Sequence, residues 1–171
     1  MPRYVAFLRG VSPMNLKMAD LKRVCEGTGM TDVKTVLSSG NVVFSAPAKS
    51  EAGLVRQLEA AMSKDLGRTF FTVIRHAKAL AELIQADPYG AFRLPANAKR
   101  VVTFLREPPK AKPVLPLERD GVRVLTIRDR EIFTAYLPNP RGPVFMTMIE
   151  KTFGTDLTTR TWDTVRKCAT A

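Results

Sequence analysis

The chain has 171 residues, 45% of them hydrophobic, with 27 Lys and Arg against 16 Asp and Glu, a formal charge of +11. That is long and apolar enough for one packed core or two small subdomains, and too apolar for a disordered segment. No run approaches the roughly 18 to 20 apolar residues of a membrane span, and the stretch from Met1 to Arg9 is too short and too early charged for a signal h-region, so none is expected.

Two distant cysteines, Cys25 and Cys168, give no disulfide framework, so reduced thiols and a cytoplasmic location are expected. The charge is spread evenly. Residues 1 to 86 carry twelve Lys/Arg against seven Asp/Glu and residues 87 to 171 fifteen against nine, so the halves contribute +5 and +6. An even spread is a field for anions in general, not a nucleic-acid-binding tail.

Tyr4 to Leu8 is aromatic, β-branched and apolar and predicts a first strand. Leu16, Met18, Leu21, Val24 and Cys25 then recur at helical spacing up to Gly27-Thr28-Gly29, where a glycine can adopt the left-handed conformation that ends a helix. Val33 to Leu37 and Val42 to Phe44 predict a hairpin about Ser39-Gly40. Leu54, Leu58, Ala61, Met62 and Leu66 mark a longer helix capped by Ser50 and stopped at Gly67, and Thr69 to Ile74 is the next strand. The order βαββαβ is the ferredoxin-like plan, an antiparallel sheet with both helices on one face.

Leu80, Leu83 and Ile84 open the second half with a helix ending at Asp87-Pro88, and Val101 to Leu105 is its next strand. The proline-rich piece from Pro108 to Pro113 lacks ladder donors and is a connector or edge. Asp120-Gly121 signals a hairpin, and Val122 to Ile127 pairs with Ile132 to Leu137 about Asp129-Arg130. Pro143 suits the first turn of a helix carrying Val144, Phe145, Met148, Ile149 and Phe153, which Gly154 ends; a last helix begins near Thr161 with Trp162, Val165 and Ala169 on one face. The expected class is α+β: two ferredoxin-like α/β plait subdomains, antiparallel sheets with helices packed on one face, residues 1–76 forming the first and residues 77–171 a second, less regular one.

Three polar clusters stand out. Ser38, Ser39 and Asn41 surround a reversal that needs only a glycine pair, so their side chains either build a site or bond to the turn itself. Arg9, at the end of the first strand, is placed with Asn15 and Lys17 to hold a carboxylate or phosphate, or is an ordinary surface arginine. Near the other end, Thr158-Thr159-Arg160-Thr161-Trp162 offers Trp162 either as an anchor for the last helix with Arg160 a flanking surface charge, or as a stacking wall with Arg160 meeting an anionic group. Arg141-Gly142-Pro143 adds free amides at a helix start.

Catalytic patterns are scarce. His76, the only histidine, has no cysteine or acidic neighbour in sequence, and Cys25 lies on an apolar helical stripe. One histidine and two distant cysteines do not make a zinc site, and neither a nucleophile elbow nor a phosphate loop is present, so no metal and no cofactor is expected. The plait and the charge suit RNA recognition, but Tyr4 and Phe7 fall on opposite faces of the first strand and Phe44 stands alone on the third, a poor stacking platform.

Leu8-Arg9-Gly10-Val11, Met18-Ala19-Asp20-Leu21, Ser39-Gly40-Asn41-Val42-Val43-Phe44 and Arg160-Thr161-Trp162-Asp163-Thr164 together resemble the uncharacterised bacterial domain-of-unknown-function family 1697 over nearly the whole chain. The resemblance implies two α/β plaits and no established activity. Where the family has a Gly-rich tract after the Arg-Gly pair, this chain has Ser12-Pro13-Met14-Asn15, and Thr161 and Asp163 replace asparagines of the closing motif.

The leading expectation is a binding module for an anionic ligand, either a small phosphorylated or carboxylated molecule or a nucleic-acid backbone, using Arg9, Asn15, Lys17, Ser39, Asn41, Arg160 and Trp162. An enzyme that positions its substrate with arginines and hydroxyls, and a homo-oligomeric interaction module, are the alternatives.

Overall fold

The structure, a computed structural model, describes residues 1–138 and 144–171. The chain divides into two compact units, residues 1–85 with 163–171, and residues 86–162.

The first unit begins with β1 (Arg3–Leu8), α1 (Met18–Gly27), β2 (Thr31–Val36), β3 (Asn41–Ser45), α2 (Glu51–Leu66), β4 (Thr72–His76) and α3 (Ala77–Ala86). Its sheet runs β2-β3-β1-β4 with every pairing antiparallel, an arrangement compatible with the ferredoxin-like plan. Period-two alternation sends Tyr4, Ala6 and Leu8 to one face with Val42, Phe44 and Ile74, and there they meet Leu21 and Val24 of α1 and Leu54, Leu58 and Met62 of α2 in one core. Both helices thus lie on one face, as their apolar stripes require. The residues of the opposite face, Val5, Phe7, Val43 and Val73, are buried as well.

Local chemistry sets the helix ends. Ser50 Oγ accepts a hydrogen bond from the Gly53 amide to cap α2, and Gly67 closes it in the left-handed region at φ 70°. β4 starts at Thr72, later than the expected 69–74, and it extends through Arg75 and His76 because Arg75, a charge that reads as a strand end, is fully buried opposite Val5. Arg3, at the start of the inner strand β1, donates to the Ala171 carbonyl and pairs with Asp32 at 3.2 Å.

The second unit carries β5 (Lys99–Leu105), β6 (Leu117–Arg119), β7 (Val122–Arg128), β8 (Glu131–Tyr136), α4 (Val144–Phe153) and β9 (Leu157–Thr161). Its antiparallel sheet has the order β6-β7-β8-β5-β9. Asp120 and Gly121 both take positive φ at the β6–β7 reversal, the geometry that an Asp-Gly hairpin turn demands. Phe145, Met148 and Ile149 of α4 cover Val101, Leu105, Val124 and Ile132. The residues 106–116 form the expected connector. β9 was not anticipated: Leu157-Thr158-Thr159-Arg160-Thr161 reads as a polar cluster, yet it pairs along β5 from Val101 to Leu105. The Arg141-Gly142-Pro143 segment lies outside the described residues.

The last helix, α5 (Trp162–Ala169), starts at the final residue of the second unit and continues in the first. Among the described residues no helix is long and apolar enough to cross a membrane.

Candidate functional site

The Ser39-Gly40-Asn41 turn sits where β3 begins beside the end of β1. Gly40 is held at φ 87°, and its carbonyl accepts from the Leu8 amide at 2.9 Å. A Cβ at position 40 would lie 2.9 Å from Val11 Cγ2 and 3.1 Å from Leu8 Cβ, so both backbone conformation and space demand glycine. Asn41 is fully buried, and its Nδ2 donates to the Val36 carbonyl at 2.9 Å and to Ser39 Oγ at 3.0 Å. These polar residues therefore bond to their own turn, and that turn packs against the Leu8–Val11 segment.

Beyond β1 the chain stays pinned. The Arg9 amide donates to the Phe71 carbonyl at 2.8 Å. Asn15 closes the following loop with both ends of its amide, Nδ2 donating to the Gly10 carbonyl at 2.7 Å and Oδ1 accepting from the Ser12 amide at 2.8 Å. It is a loop clamp, and the clamp presents residues 13–17 as one wall of a cleft of about 250 Å³ whose other wall is Leu66, Arg68 and Phe70.

Lys17 and Arg68 both line this cleft. The Arg68 guanidinium carbon lies over the Phe70 ring, 4.3 Å from its centroid, a cation–π contact that leaves the charge unneutralised. Asp20 also lines the cleft, but it is engaged by Arg23 one turn along α1. Among the described residues neither Lys17 nor Arg68 forms an ion pair. Arg68 is absent from the sequence expectations because it follows the helix stop at Gly67, where a cation reads as an ordinary loop residue. Only the fold carries it to the cleft that Lys17 lines.

Arg160 and Trp162 belong to the second unit. Arg160 is not a surface charge: it is 9% exposed, and its guanidinium donates to Thr158 Oγ1 at 2.9 Å and to the Thr159 carbonyl at 2.7 Å. Trp162 is 3% exposed and meets Tyr89 and Phe133 edge-on, with centroids at 5.3 and 6.0 Å. Burial pushes the Tyr89 hydroxyl above the usual tyrosine range against the lowering effect of its hydrogen bonds and of Arg100, and that hydroxyl donates within reach of the Val101 and Thr134 carbonyls.

His76, which has no acidic neighbour in sequence, has one in space. Glu51 Oε2, in the first turn of α2, lies 3.2 Å from its Nδ1 and accepts from its backbone amide at 3.0 Å. Cys25 is fully buried, and burial, with the nearby Glu26 charge adding to it, pushes its thiol up to about 12. A thiol so placed is protonated core.

No curated protein matches the chain. Among solved structures it is similar to the conserved bacterial protein SP0830 from Streptococcus pneumoniae, with a TM-score of 0.72 at 18% identity over 99% of this chain and 97% of that one, a likeness of fold. The family model described as protein of unknown function (DUF1697) matches residues 1–133, which include the Leu8–Val11 segment, the turn that packs on it and both walls of the cleft. With more than three quarters of its length matched, this chain belongs to that family.

Proposed function

We propose that the chain is a binding module for an anionic small molecule, one bearing a phosphate or carboxylate, taken up in the cleft between the β1–α1 loop and the α2–β4 connection. The observation that carries this reading is that Lys17 and Arg68 line one concavity, and neither has a carboxylate partner among the described residues. A planar guanidinium and a compact ammonium are complementary tools for phosphate or carboxylate oxygens. Asn15 acts by holding the loop, Met14 and Phe70 supply apolar wall, and Arg9, pinned beside Phe71, adds a third cation at the same end of the sheet. Ser39 and Asn41 serve by fixing the turn against which this segment packs.

The net charge of +11 favours a second reading, phosphate contacts along a nucleic-acid backbone. Tyr4, Phe7 and Phe44 are fully buried, so reading bases by stacking on the strands is not part of it. Cys25 and Cys168 are buried and not joined in a disulfide, which supports a cytoplasmic location.

Calorimetric titration with phenyl phosphate and inorganic phosphate tests the reading. Binding to the wild type is expected, with loss in Lys17→Gln/Arg68→Gln and retention in Lys110→Gln/Lys112→Gln, which removes the same charge elsewhere. Equal weakening in both double variants would leave only a diffuse field. Binding to a duplex with a log–log salt slope of about −0.9 per phosphate contacted, without binding to phenyl phosphate, would favour the nucleic-acid reading.

A further inference from the structure

A second concavity of the first unit, about 380 Å³, lies between residues 28–30 and residues 46–49, with Leu54 and Gln57 of α2 also lining it. Met30, Ala46 and Leu54 are buried members of the core, so the floor is apolar. At the mouth stands one cation, Lys49, and its placement is unusually constrained for an exposed lysine.

Three contacts fix it. The hydroxyl of the fully buried Tyr4 lies 3.2 Å from the Lys49 carbonyl and 3.3 Å from its amide, clamping the backbone. The aliphatic stem runs along the first turn of α2, where a Cβ on Gly53 would stand 3.0 Å from Lys49 Cε and 2.9 Å from Ser50 Oγ. Lys49 Nζ then donates to Gln57 Oε1 at 3.1 Å, and Gln57 Nε2 is committed to the Thr28 carbonyl at 2.9 Å. Gly53 stands in the first turn, where its amide is capped by Ser50, and the space a Cβ would take there is bounded by the lysine stem and Ser50 Oγ.

The ammonium has three donors, of which Gln57 takes one, and among the described residues no carboxylate neutralises it. We propose that this concavity is a small-molecule site for a monocarboxylate with an apolar body, Lys49 holding the carboxylate and the Met30–Leu54 floor receiving the body. One unneutralised cation matches one negative charge. The volume, about 380 Å³, falls within the roughly 300–1,000 Å³ typical of small-molecule sites. This inference stands apart from the Lys17–Arg68 cleft and does not rest on it.

The test is a titration of phenylacetate, with the neutral phenylacetamide as its partner, followed by amide chemical shifts of the full chain. Saturable shifts confined to residues 28–30, 46–49, 54 and 57 are expected for phenylacetate, with binding at least ~tenfold weaker for phenylacetamide and for Lys49→Gln. Gly53→Ala is expected to weaken phenylacetate binding as well, although alanine is the better helix former, because the new methyl displaces the lysine stem. Lys112→Gln, the same charge change elsewhere, is expected to bind as the wild type does. Melting curves show that each variant is folded. No saturable shift with the wild type would overturn the proposal, as would equal affinity for the amide or unchanged binding in both Lys49→Gln and Gly53→Ala.

Discussion

Replacing Gly40 with alanine separates two costs that the turn combines. Any L residue at φ 87° loses about 1–2 kcal/mol to the left-handed conformation. The new methyl would also stand 2.9 Å from Val11 Cγ2 and 3.1 Å from Leu8 Cβ, inside a segment whose backbone is held by the Leu8 amide to Gly40 carbonyl bond. Overpacking of that kind costs about 1–3 kcal/mol. Gly10→Ala is the natural control: its φ is 77°, but a Cβ there meets nothing within 4 Å. Gly10→Ala is therefore expected to lose only the conformational part, and Gly40→Ala about 1–3 kcal/mol more. In urea, with a slope of about 2 kcal/mol/M, that difference separates the two midpoints by roughly 0.5–1.5 M. Equal destabilisation of the two variants would refute the close-packing argument. A stable Gly40→Ala that had lost anion binding would refute it differently, by giving the glycine to the ligand.

Three further outcomes follow from packing and titration. Trp162→Ala empties a site 3% exposed and flanked by two rings, so a loss of about 3–5 kcal/mol is expected, together with short-wavelength, quencher-resistant fluorescence in the wild type; quencher access with an unchanged melting temperature would contradict the buried placement. Ser50→Ala removes the acceptor for the Gly53 amide and is expected to cost about 1 kcal/mol by chemical denaturation, an effect that Ser50→Asp should largely spare. The Cys25 thiol is raised from about 9 to about 12 on folding, so between those values the unfolded chain holds fewer protons and stability falls as pH rises, with a slope approaching ~1.4 kcal/mol per unit that Cys25→Ala removes. Below pH 9 this thiol leaves stability unchanged, and alkylation of native Cys25 at pH 8 is expected only after unfolding.

The parts of this chain legible from sequence are those fixed by local chemistry. Ser50 and Gly67 bound α2 as a cap and a left-handed stop should, and Asp120-Gly121 turns its hairpin with two positive φ values. β9 escaped because Thr158, Thr159 and Arg160 look like solvated loop, whereas threonine suits a pleated surface and the partner strand supplies the pattern. β4 runs past the expected end at Ile74 because Arg75 is buried, which no periodicity announces. The site divides in the same way. Asn41 and Asn15 were visible as polar residues at reversals, but whether an amide faces a ligand or its own backbone is decided by geometry, and both amides bond to their own loops. Arg68 was invisible because it lies 51 residues from Lys17 along the chain and meets the same cleft only in the folded unit.

The most direct measurement of the account is a map of where phosphate binds, from amide shifts of the wild-type chain titrated with phenyl phosphate. The account predicts saturable shifts concentrated at residues 13–17 and 66–71, abolished in Lys17→Gln/Arg68→Gln. Shifts distributed over the basic surface and equally weakened by any charge removal would contradict it, as would a map centred elsewhere in the chain.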